Sequence, residues 1–313
     1  MIKYYKYRKK PKRFLALTGF TVEEFDALLP EFANSFDKHM AKYTLEGKER
    51  KKRRYVDYIN SPLPSIGEKQ FFILSYFKCY PLQELQGALF GISQPKANRW
   101  IQCLTPVLQA ALTTLGEVPA RNISDLVIQS KGWNLFFHDG TERPIPRPID
   151  PEKQRLFYSG KAKMHTVKNN LLIDESCRIL FLTTTVEGKR HDKKLADETK
   201  YILPKGSHLL QDTGFQGFTL DGIAILQPKK KPKGRSLSDL DKSVNHWLAS
   251  LRIRMEHAIG GVQRLRIVKE KIRNWKADFR DSVMEVCCAL HNFRLKFRPW
   301  RYPPLQLHLF VAV

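Results

Sequence analysis

The sequence predicts a mixed α/β protein: an all-α N-terminal part followed by a part built on a five-stranded mixed sheet. Three observations predict this. Up to about residue 115, apolar residues recur at helical spacing. From about residue 132 they fall into short apolar and β-branched runs bounded by turn residues. A long helical pattern then begins near Leu240. The length of 313 residues suggests two or so domains.

Residues 1–13 hold seven Lys or Arg and no acid, which reads as a mobile basic arm awaiting a polyanion. Residues 14–46 carry Phe14, Leu17, Phe25, Leu28 and Leu29 at helical spacing, with Thr21 and Glu24 placed as a capping pair. A second basic cluster spans 48–54, and the break at 61–65 follows. Gln70–Phe77 is a helix, and Leu82, Leu85, Ala88 and Leu89 give the next an apolar face that ends at Gly91. Ser93 can cap a third helix from Gln94 to about Leu104, with Pro95 in its first turn. This is a helix-turn-helix pattern, and a plain helical hairpin is its simpler reading. As a DNA reader it would offer Gln94, Lys96, Asn98 and Arg99.

Strands are expected at Leu135–His138, Met164–Ile173, Arg178–Val186, His208–Gln211 and Gly222–Gln227. The second and third form a hairpin, and a helix around Asp192–Lys200 precedes the fourth. A basic loop, 228–235, leads to the long helix, whose stripe is Leu248, Leu251, Met255, Ile259 and Val262.

A formal charge of +23 and a pI near 9.8 point to a polyanionic partner. No run reaches the roughly 18 apolar residues of a membrane span, and the start lacks a secretory pattern. Five scattered cysteines without a C-x-x-C pair argue against disulfides or zinc and favour a reducing cytoplasm.

Three acids stand apart. Asp139 and Asp212 each end an apolar run before Gly or Thr-Gly, so each emerges at a strand end. Glu256 lies beside the stripe of the long helix. Two carboxylates on neighbouring strands and a third from a helix suit one or two hard cations, since Mg²⁺ takes carboxylate and phosphate oxygens. Taken singly, the aspartates could be turn residues, and Glu256 could pair with Arg252 one turn earlier.

Five motifs in order resemble the DDE transposases and retroviral integrases, most closely the Harbinger-like DDE superfamily endonucleases of insertion sequences. They are Phe136–Glu142, Tyr158–Asn169, Glu187–Asp192, Leu209–Phe215 and Arg252–Gly261. The resemblance covers roughly residues 60–300. It implies a ribonuclease H-like domain over 130–300, a helix-turn-helix domain over 61–125, a basic arm and helical segment over 1–60, and an atypical tail over 301–313. It also implies that Asp139, Asp212 and Glu256 are catalytic metal ligands, with Asp139 shared between two cations. Asp192 is a candidate fourth ligand, though it also reads as the N-cap of its helix. The implied metal is Mg²⁺, with Mn²⁺ able to substitute. The implied partner is double-stranded DNA, both terminal repeats and target, bound by a homo-oligomer and without a membrane. DNA contacts would come from Gln94, Lys96, Asn98, Arg99, Lys161, Lys163, Lys229, Lys230, Lys231 and Arg252. The implied location is the bacterial cytoplasm, on the nucleoid.

Three positions depart from the family: Ala249 replaces a tyrosine, Gln263 a lysine and Lys189 a serine. Arg264 or Arg266 would then supply the lysine's phosphate contact. The tail also departs, which leaves open whether this copy is active. Two other classes stay open, a ribonuclease H-like nuclease without strand transfer and a non-catalytic helix-turn-helix regulator.

Overall fold

Capping chemistry sets the helix boundaries. The computed structural model describes residues 1–302 except 52–54, 58–60, 233, 235 and 275. It begins with α1 (Tyr4–Arg8), α2 (Pro11–Thr18), α3 (Val22–Lys42), α4 (Ile66–Cys79), α5 (Gln83–Phe90) and α6 (Gln94–Thr114). Thr21 accepts from the Glu24 N–H, and the Glu24 carboxylate accepts from the Thr21 N–H at 2.8 Å, which closes the capping box of α3. Ser65 caps α4 through the Glu68 N–H at 3.1 Å. After α7 (Ile123–Gln129) come β1 (Leu135–Pro144), α8 (Pro151–Phe157), β2 (Tyr158–Ser159), β3 (Met164–Asp174), β4 (Ile179–Leu182) and β5 (Val186–Glu187). The described chain continues with α9 (Asp192–Thr199), β6 (His208–Gln211), β7 (Ala224–Leu226), α10 (Asp239–Gln263), α11 (Arg266–Lys269) and α12 (Ala277–Leu295).

The chain forms two units, residues 1–118 with 261–297 and residues 119–260 with 298–302. The first is helical and built on aromatic packing. Phe14 sits 5.1 Å from Phe25 and 5.6 Å from Phe71, and Tyr4 stacks on Phe25 at 5.0 Å. The Tyr4 N–H donates to Glu68 at 2.9 Å, and the Ile2 N–H to the Leu89 carbonyl at 2.8 Å. The expected mobile arm over 1–13 is thereby corrected. Tyr4 and Tyr7, set between the lysines, anchor that segment as helix.

The apolar face expected on α5 is also corrected. Leu82 and Leu85 are 60% and 52% exposed, and Ala88 is exposed too. The helix buries Gln86, Gly87 and Phe90 instead. Gln86 Nε2 donates to the Phe72 carbonyl at 3.0 Å, and Phe90 meets Phe72 edge-on at 4.9 Å. A Cβ on Gly87 would stand 2.5 Å from the Ile92 carbonyl oxygen, so only glycine lets the turn into α6 close. Ser93 takes the N-cap position of α6 without a side-chain bond, and the helix runs on past Leu104 to Thr114.

The second unit holds the sheet, in the order β2-β3-β1-β6-β7, with β4 and β5 also on β3. β3 runs antiparallel to β1, while β6 and β7 run parallel to it. The path β4-β3-β1-β6-β7 is the expected five-stranded mixed sheet, and its first strand lies beside the strand that precedes Asp212. The expected strand 178–186 is split, because Thr183 turns its side chain and carbonyl to β3. Its hydroxyl accepts from the Asn170 N–H, and its carbonyl accepts from Asn169 Nδ2, both at 2.8 Å. One face buries Phe136, Leu172, Leu209 and Phe215 with Phe181, Ala196 and Tyr201. On α10, Leu248, Leu251, Met255 and Ala258 are buried.

None of the five cysteines is in a disulfide, and four are buried. Among the described residues no helix is long and apolar enough to cross a membrane. Residues 303–313 and parts of the clusters 48–54 and 228–235 lie outside the described residues.

Candidate active site

The parallel ladder between β1 and β6 ends at His138 opposite Gln211. Asp139 and Asp212 are the next residues on the two strands. Side chains alternate along a strand, so both aspartates project to the face opposite His138 and Gln211. β1 does not stop at Asp139 as expected. It keeps β3 as a partner through Pro144, and Asp139 stands where β6 leaves it. Asp212 follows the last residue of β6 and accepts from the Thr213 N–H at 2.5 Å. Asp139 accepts from the Gly140 N–H at 2.7 Å.

Asp139 is largely removed from water, which pushes its carboxyl up to about 6, and the nearby charges of Asp212 and Asp192 add to the shift. The Gly140 N–H and Arg252 oppose it. Arg252 Nη2 lies 3.5 Å from Asp212 Oδ2. Three acids thus share one region, with Arg252 beside Asp139 and Asp212.

Asp192 does not cap α9, as its sequence setting suggested. His191 takes the N-cap position without a side-chain bond, and Asp192 is the first helical residue. Its carboxylate lies 3.0 Å from Lys168 Nζ, which also stands 3.3 Å from Glu142 and donates to the Arg190 carbonyl at 2.9 Å. Asn170 Nδ2 donates to the Asp192 carbonyl at 2.9 Å. A Cβ on Gly140 would lie 2.5 Å from Asp192 Oδ1, so glycine at 140 leaves room for that carboxylate over β1.

Beneath the aspartates runs a buried hydrogen-bond chain that sequence reasoning missed. Gln227 donates to Gln211 Oε1 at 3.0 Å, and Gln211 Nε2 donates to His138 Nδ1 at 2.8 Å. His138 Nε2 then donates to the Tyr201 hydroxyl at 3.1 Å. Burial pushes the His138 imidazole down to about 3, so it stays neutral and keeps this tautomer. The chain ties β1 to β6 one residue before each aspartate. Its signal was the polar residue preceding each acid inside an otherwise apolar run.

Glu256 lies on α10 one turn past Arg252, with an exposed side chain. Among the described residues, no three His, Cys, Asp or Glu side chains stand close enough as placed to hold a metal ion. The donor set still fits a divalent cation: adjacent carboxylate oxygens, one in a site that disfavours its own charge, are what a hard cation relieves.

The other named residues are dispersed. Gln94 and Asn98 both donate to Gln83 Oε1, at 2.8 and 3.0 Å, and Arg99 pairs with Glu46 at 3.3 Å. Lys96 is exposed. Lys161, Lys163, Lys230 and Lys231 are exposed in the second unit, and Lys229 pairs with Asp241 at 2.9 Å. Lys161 and Lys230 line the same cavity as Asp192 and Asp212. Arg264 donates to the Gly19 carbonyl and Arg266 pairs with Glu270.

Comparison with known proteins matches residues 138–292 to the DDE superfamily endonuclease family and residues 61–114 to the helix-turn-helix of DDE superfamily endonuclease. The chain is also 26% identical over 235 residues to the probable transposase for insertion sequence element IS702 of Microchaete diplosiphon, covering 74% of this chain and 82% of that protein. No solved structure matches the chain. With the endonuclease match lying over β1, β6 and α10 and the helix-turn-helix match lying over α4 to α6, the chain belongs to the DDE-type insertion-sequence transposases that carry an N-terminal helix-turn-helix.

Proposed function

We propose that this transposase cuts the ends of its insertion element and joins the freed 3′-hydroxyl to target DNA. The observation that carries the reading is the juxtaposition of Asp139 and Asp212, each one residue past the point where the β1–β6 ladder ends. Asp139, Asp212 and Glu256 would hold divalent cation, Mg²⁺ or Mn²⁺. When bound, such a cation activates the attacking oxygen and stabilises the leaving oxygen of a phosphodiester. The protein's own residues set the stage. The His138–Gln211 bond fixes the two strands in register, so the aspartates stay side by side. Arg252 offsets part of their charge in the free protein and can turn to a phosphate when DNA arrives. Water first frees the 3′-hydroxyl, and that hydroxyl then attacks the target strand. No protein nucleophile is required.

Exposed Lys161, Lys163, Lys230 and Lys231 supply backbone contacts that position DNA without reading sequence. The N-terminal half of α6 reads the element end, on a homo-oligomer assembled on DNA in the cytoplasm. Changing Lys96 or Arg99 to Ala is expected to weaken end binding by roughly 1–3 kcal/mol each. An end-specific footprint that survives the double change excludes α6 as the reader. The deciding assay combines purified protein, its own flanking element ends, Mg²⁺ and a target plasmid. Cleavage with joined product is expected. Cleavage without joining would identify a nuclease, and binding without cleavage a regulator.

A further inference from the structure

One amide joins α5 to α6. The tight turn at Gly87 and Gly91 brings the first residue of α5, Gln83, beside the first turns of α6. Gln83 Oε1 accepts from Gln94 Nε2 at 2.8 Å and from Asn98 Nδ2 at 3.0 Å. An amide oxygen has two lone pairs, and both are used here. The other end of the same amide is fixed by Tyr76, which is 4% exposed. Burial pushes the Tyr76 hydroxyl up to about 12, and a side-chain bond from Gln83 opposes the rise. A group that favours the phenolate is a donor, so the Gln83 nitrogen faces Tyr76 and its oxygen faces α6.

This pattern fixes which way two amides on α6 point. Turning Gln94 or Asn98 over would set its carbonyl oxygen against Gln83 Oε1, acceptor to acceptor. Each keeps its nitrogen on Gln83 and its carbonyl oxygen away from it, with one N–H left over. Among the described residues no hydrogen bond engages either carbonyl oxygen, and both side chains are half-exposed. They stand four residues apart on one face, about 6 Å along the helix axis. That is a little under two steps of roughly 3.4 Å along a DNA strand. A carbonyl oxygen beside an N–H complements adenine, which offers an N6–H donor and the N7 acceptor in the major groove. Guanine offers two acceptors there, so a fixed amide meets one of them with its own oxygen. A freely turning amide can present its nitrogen to guanine instead.

We propose that Gln94 and Asn98 read adenines on neighbouring base pairs of the element end, and that Gln83 is the positioning residue that makes the reading adenine-specific by holding both amides in one orientation. The proposal rests on the reading of α6 given above and deepens it, naming the bases and a residue on α5 that acts through the two amides.

The test is fluorescence anisotropy with full-length protein in EDTA, on a labelled duplex of the protein's own element end. Each base pair is exchanged in turn between A·T and G·C. The readout is the ratio of the two affinities, which a partly unfolded preparation does not alter. Two neighbouring A·T pairs are expected to be preferred by roughly 5- to 150-fold each. Replacing either adenine by 7-deazaadenine, which lacks N7, or by purine, which lacks the N6 amine, should also weaken binding. Gln94→Ala should abolish the preference at one pair and Asn98→Ala at the other. Gln83→Ala is expected to lower both ratios together, by roughly 2- to 12-fold. Gln83→Glu keeps an acceptor for both amides, so it should retain both ratios even as its charge weakens binding to every duplex. The proposal is overturned if no A·T preference disappears with Gln94→Ala or Asn98→Ala, or if Gln83→Ala leaves both ratios as they were. It is also overturned if Gln83→Glu loses as much as Gln83→Ala. Should Gln83→Ala fail to fold, the two adenine analogues on wild-type protein and the ratios of Gln83→Glu decide the matter, and unchanged binding to both analogues or lost ratios in Gln83→Glu overturns the proposal. If Lys96→Ala and Arg99→Ala weaken end binding while no adenine preference is found, this proposal falls and the reading of α6 stands.

Discussion

Asp139→Asn or Asp212→Asn is expected to abolish strand cleavage in Mg²⁺, a loss of roughly a thousand-fold or more, with binding to element ends intact. Each substitution keeps the shape of the side chain. The amide oxygen introduced in place of Asp139 can still accept from the Gly140 N–H, and the one in place of Asp212 from the Thr213 N–H, the bonds that the aspartates now make. What disappears is the charged oxygen that a hard cation needs. The contrast with stability is the diagnostic part. Burial and the neighbouring Asp212 and Asp192 already disfavour the Asp139 charge, so removing it should leave the melting temperature of the metal-free protein unchanged or higher. Glu256→Gln should also lose cleavage, and with an exposed side chain it should not alter stability. Near-wild-type cleavage by any one of the three variants would remove that residue from the ligand set.

Phe136→Ala should act in the opposite way, through the fold. Phe136 is fully buried two residues before His138, on the face packed with Leu172, Leu209 and Phe215. Truncating a buried phenylalanine costs about 3–5 kcal/mol from lost burial and the cavity left behind. Urea unfolding should show that loss, and the weakened support under β1 and β6 should lower cleavage as well. A stability change of less than about 1 kcal/mol would mean that this layer does not hold the two strands.

Much of the site could be read from the sequence because its signals are local. An apolar run halted by an aspartate marks a strand that carries a carboxylate to the sheet edge, and Asp139 and Asp212 lie side by side for that reason. Thr21 with Glu24 and Gly91 marked helix ends by short-range bonding, and Ser93 marked one by its position alone. Signals that depend on a distant partner were lost. Nothing near Tyr4 says that Phe25 and Phe71 await it, so a basic segment passed for a mobile arm. The apolar side of α5 looked like its buried face because the bond from Gln86 to the Phe72 carbonyl is invisible in a hydropathy pattern. Asp192 passed for a cap because the lysine that pairs with it lies 24 residues earlier, on β3. The return of 261–297 to the helical unit has the same origin, since an amphipathic helix shows which face it buries but not against what.

Locating a divalent cation tests the central claim most directly. Crystals of the protein grown with Mn²⁺ and an element end would show the ion by its anomalous scattering. The account predicts a peak between the carboxylates of Asp139 and Asp212, with Glu256 in contact with it. Ordered DNA at the site with no peak there, or with Mn²⁺ held by Asp192 and Glu142 while Asp212 stays on Arg252, would contradict it.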